Sequence, residues 1–278
     1  MRLIMAIITK RKKMKAFEII DEENNLSIGT LLYYKKANDF YIELVEKLDE
    51  WTAPLLLTAY VKCGIYTIPR DISKLWVCER IIPSSRQNIG SILTTHKLKA
   101  YDEMKFLELS EGRCSQDSLY IKKIDSLPEY VQKRNLQNLS DCVVLEDNTI
   151  LCFFNDNTAR KIDLAKLDPV DGLDKILQNK KLFESCKVAT GGYAATFNNS
   201  IDIPSHILYS SGKIIPLEYK DFITFAKRNI LDTTNACDEL ECSRQNISYM
   251  VKQKQLTPVK ENVKGNLYLK GEVLKNKW

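Results

Sequence analysis

The chain has 278 residues, enough for two or three domains, and a formal net charge of +5. Its composition, 44% hydrophobic and 28% charged, is that of a folded globular protein and excludes a disordered or membrane-spanning chain. The mild positive charge permits a nucleic-acid partner without requiring one, so the positions of the basic residues matter more than their number.

The cysteines and the first residues indicate in which cellular compartment the protein lies and whether it binds a metal ion. The eight cysteines are scattered without a Cys-x-x-Cys motif, and with only His96 and His206 a Cys/His zinc site is difficult to assemble. We therefore expect buried, reduced thiols in a cytoplasmic protein, with no metal ion and no cofactor. In residues 1–16 a basic run follows an apolar stretch that is too short for a signal peptide or a membrane span, so we interpret these residues as a leader or a first strand.

A first α+β domain is predicted at 17–130, with strands before helices. The β-rich runs FEIID, IGTLLYY and FYIEL are separated by polar turns. DISKLWVCERII has apolar residues at helical spacing and ends before Pro83. The pentapeptide SRQNI at Ser85–Ile89 predicts a helix start with Ser85 as N-cap, and YDEMKFLELS predicts a further helix that Gly112 ends.

This segment resembles the N-terminal subdomain of HipA-type toxin kinases in the order of its features: IGTLLYY, FYIEL, APLLLTAYV, LWVCERIIPSSRQNIGSIL and MKFLELSEGRCSQDSLYI. The resemblance implies a small β-rich unit that normally precedes a kinase core and carries no catalytic residue. The sequence has no Gly-rich phosphate loop and no kinase catalytic loop. It therefore predicts a kinase-associated subdomain without its enzyme.

A second α+β domain is predicted at 139–216. DCVVLEDNTILCFFNDNTARKIDL contains two Asp-Asn-Thr turns between three β runs, which predicts a three-stranded meander. GLDKILQNKKLF predicts helix, and CKVATGGYAATFNNSIDI predicts a strand pair. This segment resembles the DUF2442 family in its meander, in the KLFESCKV step and in NNSIDIPSHILY. The resemblance implies a small fold that accompanies DNA-binding and toxin–antitoxin modules. It implies no catalytic activity.

The polar residues of these domains do not form a catalytic set. Asp156, Asp163 and Asp202 are turn or strand-end carboxylates, which are usually solvated or capping groups. His206 follows Pro-Ser at a helix start, and Cys114 has no histidine near it in sequence. We expect none of these residues to be catalytic or to bind a metal, and we expect that the protein is not an enzyme.

The segment 220–278 predicts two short helices, a hairpin and a closing helix. TT caps the helix NACDELE, and Ser243 caps RQNISYMVKQK, whose inner face carries Ile247 and Val251. We predict a hairpin, or wing, formed by Thr257–Lys260, a polar turn and NLYL. EVLKNK follows it and is the predicted closing helix.

This pattern resembles the winged helix-turn-helix of excisionase- and MerR-type DNA-binding domains, which implies that the second helix enters the major groove. Arg244 is expected to bind guanine, and Gln245 or Asn246 to bind adenine. Lysines at the helix end and on the wing are expected to bind phosphates. The expected DNA-binding residues are Ser243, Arg244, Gln245, Asn246, Ser248, Tyr249, Lys252, Lys260, Lys264 and Asn266.

The pentapeptide SRQNI therefore occurs twice with different expected roles. In the first copy we expect Arg86 and Gln87 to be packing or interface residues, and in the second we expect base contacts. The complete prediction is a multidomain α+β protein: two small β-rich α+β domains followed by a winged helix-turn-helix.

The predicted function is a homodimeric, cytoplasmic DNA-binding regulator of a toxin–antitoxin operon, whose first domain docks on a HipA-type kinase. Its partners would be a double-stranded operator and that kinase, with no membrane. A free-standing transcription factor that senses a ligand or partner is the alternative. A winged domain that binds protein, an RNA target and an enzyme also stay open.

Overall fold

The structure is a computed structural model that describes residues 14–217, 219–261 and 265–278. It mixes 36% helix with 25% strand in several small sheets, which agrees with a mixed α+β class. The strand pairings among the described residues are antiparallel. The chain divides into two compact units, Met1–Val131 and Gln132–Trp278.

From residue 14, where the described part begins, the first unit contains one sheet and four short α-helices, followed by the start of a fifth. The strands are β1 (Met14–Asp21), β2 (Leu26–Tyr34), β3 (Asp39–Leu44), β4 (Thr67–Ile68) and β5 (Leu119–Ile124), in the order β4-β3-β2-β1-β5. The helices are α1 (Thr58–Lys62), α2 (Arg70–Cys78), α3 (Ile89–Thr95), α4 (Glu103–Leu109) and α5 (Glu129–Asn135), and the boundary between the units lies within α5. Strand β1 begins inside the segment that the sequence assigned to a leader or a first strand.

The core of the first unit lies between the sheet and helices α2 and α4. It includes the fully buried side chains of Leu31, Ile42 and Trp76. The hydroxyl of Ser73 in α2 accepts a 3.0 Å hydrogen bond from the backbone N–H of Ile42 and so attaches this helix to β3. The buried Arg80 guanidinium lies 3.8 Å from the centre of the Trp76 ring.

The second unit begins with two small sheets. Strands β6 (Leu139–Val144), β7 (Thr149–Phe154) and β8 (Ala159–Asp163) form the predicted meander, and β12 (Lys213–Ile214) extends it in the order β12-β8-β7-β6. Strands β9 (Lys187–Val188), β10 (Ala194–Phe197) and β11 (Ile201–Pro204) form the other sheet, in place of the predicted pair. Helices α6 (Leu173–Gln178), α7 (Lys180–Glu184) and α8 (Ser205–Ser211) complete this region, and the predicted helix GLDKILQNKKLF is broken at Asn179.

The second unit ends with four helices and two short strands. They are α9 (Tyr219–Asn229), β13 (Ile230–Leu231), α10 (Thr233–Leu240), α11 (Arg244–Lys252), β14 (Tyr268–Leu269) and α12 (Lys270–Leu274). Strand β13 pairs with β14, so the chain before α10 is hydrogen-bonded to the chain before α12. A small core of Ala236, Ile247, Met250, Leu256 and Tyr268 lies among these elements.

The end of the second unit is attached to its sheets by apolar contacts. Leu274 of α12 belongs to the same buried cluster as the inner residues of β6 and β7. The rings of Phe225 in α9 and Phe153 in β7 lie 4.8 Å apart. The predicted segments 139–216 and 220–278 therefore lie together in one compact unit.

The cysteines only partly fit the expectation of burial. Cys142, Cys152 and Cys186 are buried free thiols, whereas Cys63 and Cys78 are exposed. Within the described ranges, no helix combines the length and apolar character needed to cross a membrane.

Candidate nucleic-acid interface

Helix α11 begins as the sequence predicts. Ser243 has extended backbone angles (φ −76°, ψ 157°), and its hydroxyl accepts a 3.3 Å hydrogen bond from the backbone N–H of Asn246. An N-cap of this type satisfies one of the amide groups that the first helical turn leaves free. The cap places Arg244, Gln245 and Asn246 in the first turn of α11.

The first SRQNI copy folds differently, and the predicted helix start at Ser85 is wrong. Helix α3 begins at Ile89 after Asn88, and Ser85 and Arg86 lie in turns that the N–H of Arg86 closes on the carbonyl of Pro83. Arg86 and Gln87 are exposed and do not pack, and Arg86 Nε donates to Asn88 Oδ1 at 3.0 Å. The same five residues thus cap a helix only in the second copy.

One face of α11 is buried and the rest is exposed. Ile247 and Met250 are 1% and 5% exposed, and Val251 is half-buried at the edge of the same face. Met250, not Val251, is therefore the second inner residue, because positions three apart also share a helix face. The exposed residues are Arg244, Gln245, Asn246, Ser248, Tyr249 and Lys252, and Ser243 before them is also exposed.

Helix α10 and a three-residue turn hold α11 in place. The cap of α10 is Asp232, whose carboxylate accepts a 2.8 Å bond from the N–H of Asn235, so the predicted cap at the Thr-Thr pair is displaced by one residue. Glu241 then turns the chain in the left-handed region (φ 51°). Arg244 Nη2 donates a 3.0 Å hydrogen bond to Thr234 Oγ1, which orients the guanidinium over the start of α10.

A groove separates α11 from the chain segment that follows it. The groove has a volume of ≈ 310 Å³, and its polar lining includes Ser248, Lys252 and Asn266. The backbones of Lys260 and Leu267 form an isolated antiparallel bridge, whereas Tyr268 and Leu269 of the predicted hairpin pair with β13 instead. Residues 262–264 between Lys260 and Leu267, including Lys264, lie outside the described residues.

The charges of this region are segregated by element. Asp238, Glu239 and Glu241 lie on α10 or directly after it. From Ser243 to the last residue the sequence contains eight lysines and arginines and two acidic residues. This excess is larger than the net charge of the whole chain, so the positive charge is concentrated in the segment that contains α11.

A buried carboxylate fixes the neighbouring elements. Asp141 in β6 accepts hydrogen bonds from the side-chain amide of Asn229 at 2.6 Å, the N–H of Cys142 at 2.9 Å and the N–H of Gly271 at 3.0 Å. Burial raises the pKa of Asp141 to about 6, although these hydrogen bonds oppose the rise. The carboxylate joins the end of α9 and the start of α12 to β6.

The other candidate residues have structural surroundings. Asp163 caps the turn after β8 and pairs with Lys166 at 2.9 Å, and Asp156 accepts from the Thr158 hydroxyl at 2.7 Å. The pKa of both carboxyls is lowered: for Asp163 chiefly by the bond with Lys166, and for Asp156 by its hydrogen bonds, which outweigh an opposing effect of burial. Burial lowers the pKa of the His206 imidazole. Among the residues that the structure describes, no group of three His, Cys, Asp or Glu side chains is arranged to hold a metal ion.

Sequence reasoning missed three residues that organise the interface. Thr234, Asp141 and Gly271 act through contacts with residues 10 to 130 positions away in sequence, and no local pattern marks them. The only available signal was the apolar setting of Asp141, between Leu139 and the run Cys142–Leu145.

Comparisons with protein-family models, with curated proteins and with solved structures found no match for this chain.

Proposed function

We propose that this protein binds duplex DNA and regulates transcription, with α11 as the recognition helix of a winged helix-turn-helix. The observation that supports this proposal best is the surface of α11. Ser243 and the polar residues of its first turn are exposed at the start of a capped helix, while Ile247 and Met250 hold the opposite face against the small core. Such helices enter the major groove with their N-terminal residues toward the base edges.

The dimensions suit this role. A helix of nine residues is roughly 14 Å long, and the major groove is about 12 Å wide. Arg244 Nη2 carries two N–H groups, so one can bind Thr234 while the other forms, with Nη1 or Nε, the paired donors that a guanine accepts. Gln245 and Asn246 each carry the paired donor and acceptor that adenine requires.

The flanking residues supply contacts to the DNA backbone. Lys252 lies at the end of α11, Lys260 at the base of the hairpin and Asn266 on the opposite side of the groove. We assign these residues, with Ser248, Tyr249 and Lys264, to phosphate or sugar contacts, which set position and affinity more than sequence preference. The acidic residues of α10 belong to the helix that crosses outside the groove.

A biological setting follows from the resemblances in the sequence. We propose that the first unit docks on a HipA-type kinase encoded beside this protein, and that a homodimer represses their common operon. Co-expression with that kinase should give a complex and relieve its toxicity. If neither occurs, the docking proposal is wrong and a free-standing transcription factor that senses a ligand or partner becomes the better account.

DNA binding is tested with the full chain and a pool of random duplexes that includes the region upstream of its gene. Enrichment of a sequence, and an affinity that falls with rising salt at a log–log slope of about −0.9 for each phosphate contact, would support the proposal. Arg244→Ala and Arg86→Ala form a matched pair, because each changes the second residue of an SRQNI copy.

We expect Arg244→Ala to weaken binding and Arg86→Ala to leave it unchanged. The proposal fails if no duplex is enriched, or if both substitutions have the same effect.

A further inference from the structure

Two buried cysteine sulfurs are in contact in the second unit. Sγ of Cys142 in β6 lies 3.8 Å from Sγ of Cys186, the residue before β9, although they are 44 positions apart in sequence. Cys142 is 4% exposed and Cys186 is 9% exposed. Cys152, also buried, is the cross-strand neighbour of Cys142 on β7 and so shares its face of the sheet.

A cleft gives small molecules a route to this pair. Its volume is ≈ 220 Å³, and both Cys142 and Cys186 line it, as do the cationic residues Arg228 and Lys270. The space is large enough for several water molecules and therefore for hydrogen peroxide. Cys152 does not line the cleft.

The contact between the sulfurs is a hydrogen bond in which either sulfur can be the donor. This hydrogen bond, and then burial, raises the pKa of the Cys142 thiol well above its usual range. Because a thiolate reacts with peroxide and a thiol does not, the first oxidation requires that one of the two cysteines lose its proton.

We propose that Cys142 and Cys186 form a reversible disulfide on exposure to peroxide. One of the two thiols loses a proton, its thiolate attacks one peroxide oxygen, the O–O bond breaks, and the hydroxide that leaves takes up that proton to become water. The resulting sulfenic acid is attacked by the sulfur of the other cysteine, the S–O bond breaks, and a second water leaves with the proton of that cysteine. Two thiols lose two electrons in total, and one peroxide is reduced to two waters. A thiol reductant reverses the reaction.

The disulfide would form beside the contacts that attach α9 and α12 to the sheet. The carbonyl of Cys142 accepts a 3.0 Å hydrogen bond from the Asn229 side chain, and the adjacent Asp141 binds Gly271. To reach the bonded distance of about 2.05 Å the sulfurs must approach each other by side-chain rotation. Oxidation should therefore stiffen β6 and its attachment to β9 without displacing the backbone of either.

The test treats the reduced full-length chain with hydrogen peroxide, blocks the remaining thiols by alkylation and maps the peptides by mass spectrometry. We expect a cross-linked peptide pair that contains Cys142 and Cys186 and disappears after reduction. Hydrogen exchange of the β6 and β9 amides should be slower in the oxidised protein. The matched variants are Cys186→Ala, in which the cross-linked peptide pair should be absent, and Cys152→Ala, in which the bridge should still form.

Two results would overturn the inference. One is peroxide oxidation of the exposed Cys63 and Cys78 while Cys142 and Cys186 both stay free thiols. The other is a bridge between Cys142 and Cys152 in the unaltered chain. Peptide mapping of the unaltered chain alone distinguishes these outcomes, so the test does not depend on the folding of a variant, and it does not depend on DNA binding.

Discussion

The backbone N–H of Gly271 donates a 3.0 Å hydrogen bond to the buried carboxylate of Asp141. The same carboxylate accepts from Asn229 and from the N–H of Cys142. One side chain in β6 thereby holds the last residue of α9 and the first turn of α12, between which the proposed DNA-binding helices lie. The position of those helices relative to the sheet depends on this contact.

Gly271→Ala should destabilise the second unit. A Cβ at this position would collide with the carbonyl oxygen of Ser140 and lie 2.7 Å from Asp141 Oδ2, so the start of α12 must move away from β6. We expect a loss of at least about 2 kcal/mol in the free energy of unfolding, measured by hydrogen exchange of the β6 amides. The control is Gly90→Ala in α3, where nothing lies within 4 Å of the added Cβ. A Gly271→Ala protein as stable as the Gly90→Ala protein would contradict the contact.

Asp141→Asn should remove one component of the pH dependence of stability. Because the pKa of Asp141 rises from 3.8 unfolded to about 6 folded, the folded state binds the proton more tightly. This component of stability is complete below pH 3.8 and is lost as the pH rises through 6, by about 3 kcal/mol in total. The carboxyls with lowered pKa, such as Asp156, change stability in the opposite direction. The free energy of unfolding is therefore compared between the wild type and Asp141→Asn at each pH, and the difference isolates the contribution of Asp141.

That difference is measured by hydrogen exchange of the β6 and β7 amides between pH 4 and 7, corrected for the intrinsic exchange rates. The stability of the wild type relative to the variant should fall as the pH rises. A constant difference over this range would show that Asp141 titrates at its ordinary pKa.

Local patterns in the sequence predicted much of the fold. The two Asp-Asn-Thr turns predicted the meander because Asn148 and Asn157 adopt the left-handed backbone that such turns need. The apolar spacing of α2 and the cap of α11 are also local signals, and both helices form at the predicted positions, although α2 ends at Cys78 and not directly before Pro83. The pairing of β13 with β14 was not predicted, since each strand has two residues and their partners are 37 or more positions apart.

The two SRQNI copies show the limit of local signals. Ser85 and Ser243 have the same four following residues, yet only Ser243 caps a helix. The second copy is followed by Met250, which packs with Ile247 into a core that the first copy lacks. Tertiary packing therefore decides in which copy the helix begins directly after the serine. Asp141 and Thr234 could not be assigned from the sequence for a similar reason, because their partners are distant in the chain.

Ser243→Ala should destabilise α11 by about 1 kcal/mol, because the amide of Asn246 loses its capping acceptor. Ser85→Ala is the matched control, and it should change stability by less than about 0.5 kcal/mol, because Ser85 is exposed and caps no helix. Hydrogen exchange in α11 and α3 measures the two effects. Equal losses in the two helices would contradict the difference between the copies.

Thr234→Val should weaken DNA binding without unfolding the protein. The substitution keeps the shape of the side chain but removes the hydroxyl that holds Arg244 Nη2, so the arginine loses more side-chain freedom when it binds. We expect the Kd for the selected duplex to rise by roughly 2- to 10-fold. Thr234→Ser keeps the hydroxyl and should bind like the wild type. Tighter binding by Thr234→Val would show that the contact with Thr234 holds Arg244 away from the DNA.

The measurement that tests the central claim most directly is the ratio of the Kd values for a scrambled and a selected duplex, at one salt concentration, for the wild type, Arg244→Ala and Lys260→Ala. Arg244→Ala should reduce this ratio by about 5- to 150-fold, because a bidentate base contact contributes about 1–3 kcal/mol of discrimination. Lys260→Ala should weaken both duplexes alike and leave the ratio unchanged. A ratio that Arg244→Ala leaves unchanged, or that both substitutions reduce equally, would contradict base recognition by α11.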